Sequence, residues 1–175
     1  LPELPGYDCA GFSLPAAETG GDTYDAVGIG ADGTPTTERA ARALFVVADA
    51  TGHGIGPALS VTQVRAMLRM AVRTGQGLAE IVLHLNEQLH DDLESGRFVT
   101  AWLGEVDAAR STLTSFSAGH GPLLRHAPAS TPWTAQVPDP PPLRTAASAE
   151  VEAIANHSTA SHFLIIREIS CTGAQ

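Results

Sequence analysis

Apolar residues recur along this chain in short blocks, and their spacing separates expected strands from expected helices. The unbroken apolar run Ala43–Ala48 predicts a strand that is buried on both faces. A short alternating stretch, Tyr7–Leu14, predicts an outer strand inside a start that is otherwise rich in glycine and proline. The N-terminal part of the chain is therefore expected to contribute to a sheet.

Two segments in the middle of the chain have the apolar spacing of helices. Pro57 is well placed to begin the first, which closes at Gly75 and Gly77, and the second runs from Leu78 to Leu93. Their apolar residues recur at helical intervals: Val61, Val64, Leu68 and Ala71 in the first, and Leu78, Ile81, Leu85 and Leu89 in the second. The pattern predicts a helical hairpin.

Shorter apolar blocks follow the two helices. Strands are expected at 98–106, 112–117, 123–126, 151–155 and 163–166. Residues 127–142 hold six of the twelve prolines and predict an irregular surface loop. Strands, then two helices, then more strands are typical of helices packed on a largely antiparallel sheet, an α+β arrangement within the broad α/β class. We expect a single domain over residues 1–175.

Composition removes several classes of function. The net charge of −9 argues against general binding of nucleic acid or of an anionic membrane, because both attract basic surfaces. All ten basic residues are arginine, so mechanisms that need lysine, such as Walker-type phosphate loops and Schiff bases, are excluded. With only Cys9 and Cys171, and without an apolar run of membrane-spanning length, we expect a soluble, cytoplasmic protein.

Two acidic, glycine-rich segments carry the candidate chemistry. Residues 20–25 are Gly-Gly-Asp-Thr-Tyr-Asp, and residues 48–54 are Ala-Asp-Ala-Thr-Gly-His-Gly. Glycine lets the backbone approach a ligand closely, and hard divalent cations prefer carboxylate oxygens. Each segment alone also suits an ordinary turn, in which aspartate accepts hydrogen bonds from backbone amides. Together they favour one shared metal site.

The order of four motifs resembles the metal-dependent protein phosphatase family (type 2C), in its bacterial SpoIIE/RsbU-type branch. The motifs are Leu4-Pro5-Gly6 leading to GGDTYD at Gly20–Asp25, FVVADATGHGIGPAL at Phe45–Leu59, RFVTAWLGEVD at Arg97–Asp107, and SAGHGPLL at Ser117–Leu124. The set spans residues 1–126, so it is more specific than any one motif. The resemblance implies an α-β-β-α sandwich, in which largely antiparallel sheets are flanked by helices.

The resemblance also implies two Mn²⁺ or Mg²⁺ ions at one end of the sandwich. Residue by residue, Asp22 matches a carboxylate ligand that reaches both metals, and Asp49 matches a second ligand. The carbonyl oxygen of Ala50 matches a third. Asp22 and Asp49 are therefore the expected catalytic residues of a metal-assisted hydrolysis, in which the ions lower the pKa of the attacking water.

Two histidines and three arginines have competing interpretations. His53 could be a ligand or general acid, or could only order its glycine loop, and the preference of these ions for oxygen favours the second. His120 is expected to bond to the backbone of its turn rather than to act in catalysis. Arg65, Arg69 and Arg73 share a helix face, which suits either a solvated surface or recognition of a phosphorylated partner.

The two late metal-binding aspartates of the family are missing from this sequence. Ser161–Ile166 matches the apolar run before a Thr-Asp-Gly motif, but Glu168 stands where the aspartate is expected, beside Arg167. Glu168 is therefore a candidate fourth ligand, and residues 156–175 are expected to be divergent or truncated, with the C-terminal elements incomplete. A shortened domain and a natural variant without catalysis both remain open. Domains of this branch commonly follow a sensor segment, and the sequence leaves open whether one precedes this domain in the whole protein.

Two functions follow from these observations. The first, implied by the resemblance, is metal-dependent hydrolysis of phosphoserine or phosphothreonine on a regulatory protein of a partner-switching stress or sigma-factor pathway. The second, favoured by the missing aspartates, is a catalytically impaired module that binds a partner with the same face. Nucleotide binding is disfavoured, because residues 52–56 lack lysine and the spacing of a phosphate cradle. The sequence leaves open whether the domain forms a homodimer.

Overall fold

The computed structural model describes residues 1–13, 20–121, 123–125, 134–136 and 162–168. Its strands are β1 (Tyr7–Ser13), β2 (Asp22–Ile29), β3 (Pro35–Thr36), β4 (Arg42–Ala50), β5 (Val99–Asp107), β6 (Thr112–Ala118), β7 (Leu123–Arg125), β8 (Thr134–Gln136) and β9 (His162–Glu168). Its helices are α1 (Ile55–Arg73) and α2 (Leu78–Asp92). Neither of these two helices is long and apolar enough to cross a membrane.

A five-stranded antiparallel sheet lies at the centre, in the order β3-β2-β4-β5-β6. Its register pairs Asp22 of β2 with Asp49 of β4, and Asp49 in turn with Thr100 of β5. At the other end of the same strands, Arg42 pairs with Asp107. The end that holds Asp22 and Asp49 is called the acidic end below.

Both helices pack on one face of this sheet. Side chains of a strand alternate between its two faces, and in β4 Leu44, Val46 and Ala48 join the apolar residues of α1 and α2 in one buried core. The predicted hairpin and its packing on the strand are thereby confirmed. Helix α1 begins at Ile55, slightly earlier than the predicted start at Pro57, which is buried within the first turn.

A second, smaller core lies on the opposite face of the sheet. It includes Phe45 and Trp102, with the partly buried Val47 packed at its margin. The two-stranded antiparallel sheet β1–β9 contacts β2 on this side, where the hydroxyl of Tyr24 donates to the carbonyl of Gly11 at 3.1 Å. Strand β4 is therefore covered on both faces, as the apolar run predicted, although more completely on the side of the helices.

Several predicted boundaries require correction. The sequence placed Asp22 in a turn, whereas the structure makes it the first residue of β2, a strand that the sequence did not predict. Polar Thr23 and Asp25 occupy buried positions of β2, which obscures the alternation of apolar and polar residues. The short strand β8 lies inside the segment expected to be an irregular loop. The expected strand at 151–155 lies outside the described residues.

Candidate functional site

Two aspartates from different motifs lie side by side at the acidic end of the sheet. Asp22 opens β2, Asp49 lies near the end of β4, and the two are paired directly opposite each other. Opposed residues of antiparallel strands share a face, with Cβ atoms about 4.5–5.5 Å apart. Asp22 is partly exposed and Asp49 is exposed, so an ion in solution can reach both. Two carboxylates at this separation repel each other, which favours a cation between them.

The backbone segments beside the two aspartates, at Gly21 and Ala50, pack closely against each other. The amide of Ala50 donates to the carbonyl of Gly21 at 2.9 Å. A Cβ at Gly21 would lie 2.5 Å from the carbonyl oxygen of Ala50 and 2.9 Å from the Cβ of Pro57, so only glycine fits. The carbonyl of Ala50 therefore lies against the residue that precedes Asp22. Carboxylates and a backbone carbonyl are the oxygen donors that Mg²⁺ and Mn²⁺ prefer.

The loop that follows β4 is fixed by hydrogen bonds to the start of β5. The amide of Thr51 donates to the carbonyl of Phe98 at 3.0 Å, and the amide of Phe98 donates to Oγ1 of Thr51 at 3.1 Å. Gly52 and Gly54 have φ angles of 104° and 86°, a region that favours glycine. Between them, His53 is exposed to solvent rather than packed into the loop.

A guanidinium group, which the sequence did not single out, lies beside this loop. Nη1 of Arg97 is 3.2 Å from the position that a Cβ would take at Gly56, in the first turn of α1. The Nε atom of Arg97 is 3.4 Å from a carboxylate oxygen of Glu94, and both side chains are largely exposed, so the pair binds weakly. Because Arg97 precedes Phe98, it brings positive charge to the acidic end.

Strand β5 adds a hydroxyl group and a buried imidazole. Thr100 lies directly opposite Asp49, and its Oγ1 atom is 3.0 Å from Nδ1 of His120. His120 is only 6% exposed and follows Gly119, which bridges to Ala101 of β5. The structure joins the ring of His120 to the Thr100 side chain, a contact that the sequence did not predict. Thr100 was missed, although it stands inside a motif that carried the resemblance.

The second aspartate of GGDTYD, Asp25, faces the helices instead of the acidic end. It is 7% exposed and accepts hydrogen bonds from Nε and Nη2 of Arg69, both at 2.7 Å, while Nε of Arg65 lies 3.4 Å away. Burial raises the pKa of Asp25, but the bonds from Arg69 and the Ala26 amide and the charges of both arginines lower it by more, leaving it below the ordinary value. These arginines therefore dock α1 on β2.

Strand β1 runs toward the acidic end. Before the strand, and separated from it by a turn in which the amide of Tyr7 donates to the carbonyl of Leu4, Pro2 lies against Gly28 at the far end of β2. Further along, Gly11 packs so closely on the ring of Tyr24 that a Cβ would lie 2.5 Å from it. Because Tyr24 is nearer than Gly28 to the acidic end, the chain approaches that end between Pro2 and Gly11.

The register of β9 does not bring Glu168 to the two aspartates. Strand β9 is antiparallel to β1, and Glu168, its last residue, pairs with Tyr7, the first residue of β1. Glu168 therefore lies toward the end of the sheet opposite Asp22 and Asp49. Within the described part of the chain, no group of three or more histidine, cysteine, aspartate or glutamate residues is arranged to hold a metal. Of the predicted ligands, Asp22 and Asp49 are paired opposite each other, and Ala50 follows Asp49 at the end of β4.

Solved structures share this arrangement of sheets and helices. The structure of the RsbU and RsbW domains of Rv1364c from Mycobacterium tuberculosis matches with a TM-score of 0.67 and 30% sequence identity, covering 89% of this chain and 42% of that one. The PP2C phosphatase domain of SpoIIE from Bacillus subtilis matches with a TM-score of 0.65 and 14% identity, covering 84% of this chain and 41% of that one. The fold is therefore of the PP2C phosphatase class, as the motifs predicted.

Sequence comparison assigns the family. The family model described as Stage II sporulation protein E (SpoIIE) matches residues 39–160, which are most of this chain. The chain therefore belongs to the SpoIIE family. Phosphoserine phosphatase RsbU of Bacillus subtilis (strain 168) is 23% identical over 122 residues, which are 70% of this chain and 33% of RsbU. The chain spans between 21% and 33% of the length of the curated relatives that it matches here.

Proposed function

We propose that this chain is a metal-dependent phosphatase domain that hydrolyses phosphoserine or phosphothreonine on a regulatory protein. The observation that carries the proposal is the direct cross-strand pairing of Asp22 with Asp49, beside the carbonyl of Ala50, in a member of the SpoIIE family. Like charges opposed across two strands destabilise a sheet. A pair of this kind is easier to explain as a cation site than as part of the framework.

The donor set suits a hard divalent ion. Asp22 and Asp49 would hold Mn²⁺ or Mg²⁺ through carboxylate oxygens and Ala50 through its carbonyl, while water fills the remaining positions. Such an ion lowers the pKa of bound water and neutralises phosphoryl oxygens. The tight packing of Gly21 on Ala50 and the hydrogen bonds between Thr51 and Phe98 keep these donors in place.

The chain also supplies a group that suits the phosphate of a substrate. The guanidinium of Arg97 lies against Gly56 in the first turn of α1, beside the loop that follows Asp49. Guanidinium groups bind phosphate through charge-assisted hydrogen bonds. Because its neighbour Glu94 is 81% exposed, solvent screens that ion pair, and Arg97 can exchange Glu94 for a phosphoryl group at little cost.

The names of similar proteins support the choice of substrate class. RsbU is named a phosphoserine phosphatase, and the Rv1364c structure joins an RsbU domain to an RsbW domain. These names suggest that the partner of this chain is a phosphorylated regulatory protein of a partner-switching pathway. A cytoplasmic location belongs to the same proposal, because such switches act inside the cell on sigma-factor regulators.

A partner-binding module without catalysis is the second candidate. One observation favours it: among the described residues, no group of three or more histidine, cysteine, aspartate or glutamate residues is arranged to hold a metal. Two carboxylates balance the charge of a single divalent ion and leave a second ion poorly held. We therefore expect hydrolysis by this chain to be slow.

Hydrolysis of a phosphoserine peptide decides between the two candidates. We expect turnover in Mn²⁺ that disappears in EDTA and falls at least about 100-fold in Asp22→Asn, which removes the ligand charge and keeps the shape. Glu38→Gln, which removes an exposed charge on the loop before β4, is the matched control and should keep full activity. Turnover that persists in EDTA would exclude the metal-dependent mechanism. Peptide binding without turnover would instead favour the module.

A further inference from the structure

Thr100 completes a row of three residues across the acidic end of the sheet. It pairs with Asp49, which pairs with Asp22, so the three side chains share one face. The Oγ1 atom of Thr100 lies 3.4 Å from the carbonyl oxygen of Asp49 and 3.0 Å from Nδ1 of His120. A hydroxyl that donates its proton to the Asp49 carbonyl can accept one from Nδ1–H of His120. The two contacts then form a continuous path from His120 to Asp49.

His120 is held firmly enough to fix the hydroxyl of Thr100. Its ring is buried, and its carbonyl accepts a hydrogen bond from Oγ of Ser117 at 3.3 Å. Gly119, at φ 61°, turns the chain so that it bridges to Ala101, the neighbour of Thr100. Burying an imidazole costs free energy that an apolar side chain of similar size would not incur. The hydrogen bond to Thr100 offsets part of this cost, because it satisfies Nδ1 of the buried ring.

We infer that Thr100 and His120 are positioning residues that hold Asp49 opposite Asp22 before a divalent ion binds. Asp49 is exposed, lies one residue from the end of β4, and is repelled by the carboxylate beside it. The bond from the Ala50 amide to the Gly21 carbonyl holds this end of β4 from the side of β2, and the contact of Thr100 with the Asp49 carbonyl holds it from the side of β5. The inference rests on the proposed function, because it assumes that the two aspartates bind a metal.

Titration with Mn²⁺ tests the inference through binding rather than activity. Thr100→Val keeps the shape and removes the hydroxyl, so it should weaken Mn²⁺ binding about 10- to 100-fold, as loss of groups that orient metal ligands commonly does. Thr100→Ser restores the hydroxyl and should bind nearly as well as the wild type. Thr114→Val, the same change at an exposed position of β6, is the matched control and should leave binding unaltered.

His120→Leu tests the other half of the pair. It should weaken Mn²⁺ binding to the same degree as Thr100→Val, and the double variant should be no weaker than either alone, because both changes remove one interaction. Thermal unfolding in EDTA shows which variants are folded. If His120→Leu does not fold, the comparison of Thr100→Val with Thr100→Ser decides whether the hydroxyl positions Asp49.

Two results overturn the inference. The first is Mn²⁺ binding by Thr100→Val that equals the wild type, with Asp49→Asn abolishing binding; the proposed metal site would then stand without the positioning role. The second is equal loss of binding in Thr100→Ser and Thr100→Val, which would assign the effect to packing. Absence of Mn²⁺ binding by the wild-type chain would instead remove the proposed function, and the inference with it.

Discussion

Removal of one carboxylate from the acidic end should make the metal-free protein more stable. Asp22 and Asp49 are directly opposed, so their charges lie about 5–6 Å apart. At this separation the repulsion is about 0.8 kcal/mol in water and about 3 kcal/mol at an effective dielectric constant of about 20. Because Asp49 is exposed to solvent, we use the lower of these two repulsion energies. Asparagine keeps the size of Asp49 and can still form hydrogen bonds, so removal of this repulsion by Asp49→Asn should raise the free energy of unfolding by about 1 kcal/mol, or the melting temperature by about 2–4 °C.

Thermal or urea unfolding in EDTA at low salt measures this gain. High salt should remove most of it, because the Debye length falls from about 10 Å at 0.1 M to about 3 Å at 1 M. In Mn²⁺ the order should reverse, since an ion at about 100 times its dissociation constant stabilises the wild type by about 2.7 kcal/mol. Glu38→Gln, with the same change in net charge, controls for general repulsion. Destabilisation by Asp49→Asn in EDTA, or a gain that salt does not alter, would refute the opposed geometry.

Two further predictions concern the framework around the site. In α2, Leu85→Ala should lower the free energy of unfolding by about 2–5 kcal/mol, because Leu85 is 1% exposed, whereas Leu83→Ala, at a 54% exposed position, should have little effect in the same urea titration. The pKa of Asp25 is lowered from its ordinary value of 3.8, so its ionised form stabilises the fold above that pH and the stabilisation fades as the pH falls below it. Between pH 6 and pH 3, the wild type should lose more stability than Asp25→Asn, and parallel pH profiles would show that the pair with Arg69 does not stabilise the fold.

The elements with strong periodicity could be predicted from the sequence. The run Ala43–Ala48 and the spacing in both helices depend on apolar residues alone, and one face of the strand forms a single core with the helices. Strand β2 was missed because the buried Asp25 breaks its apolar alternation. What stabilises Asp25 there is Arg69, which lies far away in the sequence on α1. A pairing of this kind depends on tertiary structure and leaves no local signal.

The candidate site was only partly predictable, because it too depends on which strands lie next to each other in the tertiary structure. Asp22, Asp49 and Ala50 were named from motifs, and the register pairs Asp22 with Asp49. Glu168 was named by matching a short apolar run to a family motif, but local sequence does not reveal strand direction. Strand β9 is antiparallel to β1, so Glu168 pairs with Tyr7 at the start of β1 and lies away from the acidic end. Thr100 became visible only because β5 lies beside β4.

Calorimetric titration of the chain with Mn²⁺ tests the central claim most directly. If Asp22 and Asp49 form a cation site without further carboxylates, the wild type should hold one Mn²⁺ tightly, because two carboxylates balance the charge of one divalent ion. Asp22→Asn and Asp49→Asn should each abolish that binding, and Glu38→Gln should keep it. Two tight sites, no binding, or binding that survives both aspartate substitutions would contradict the assignment of the metal to this pair.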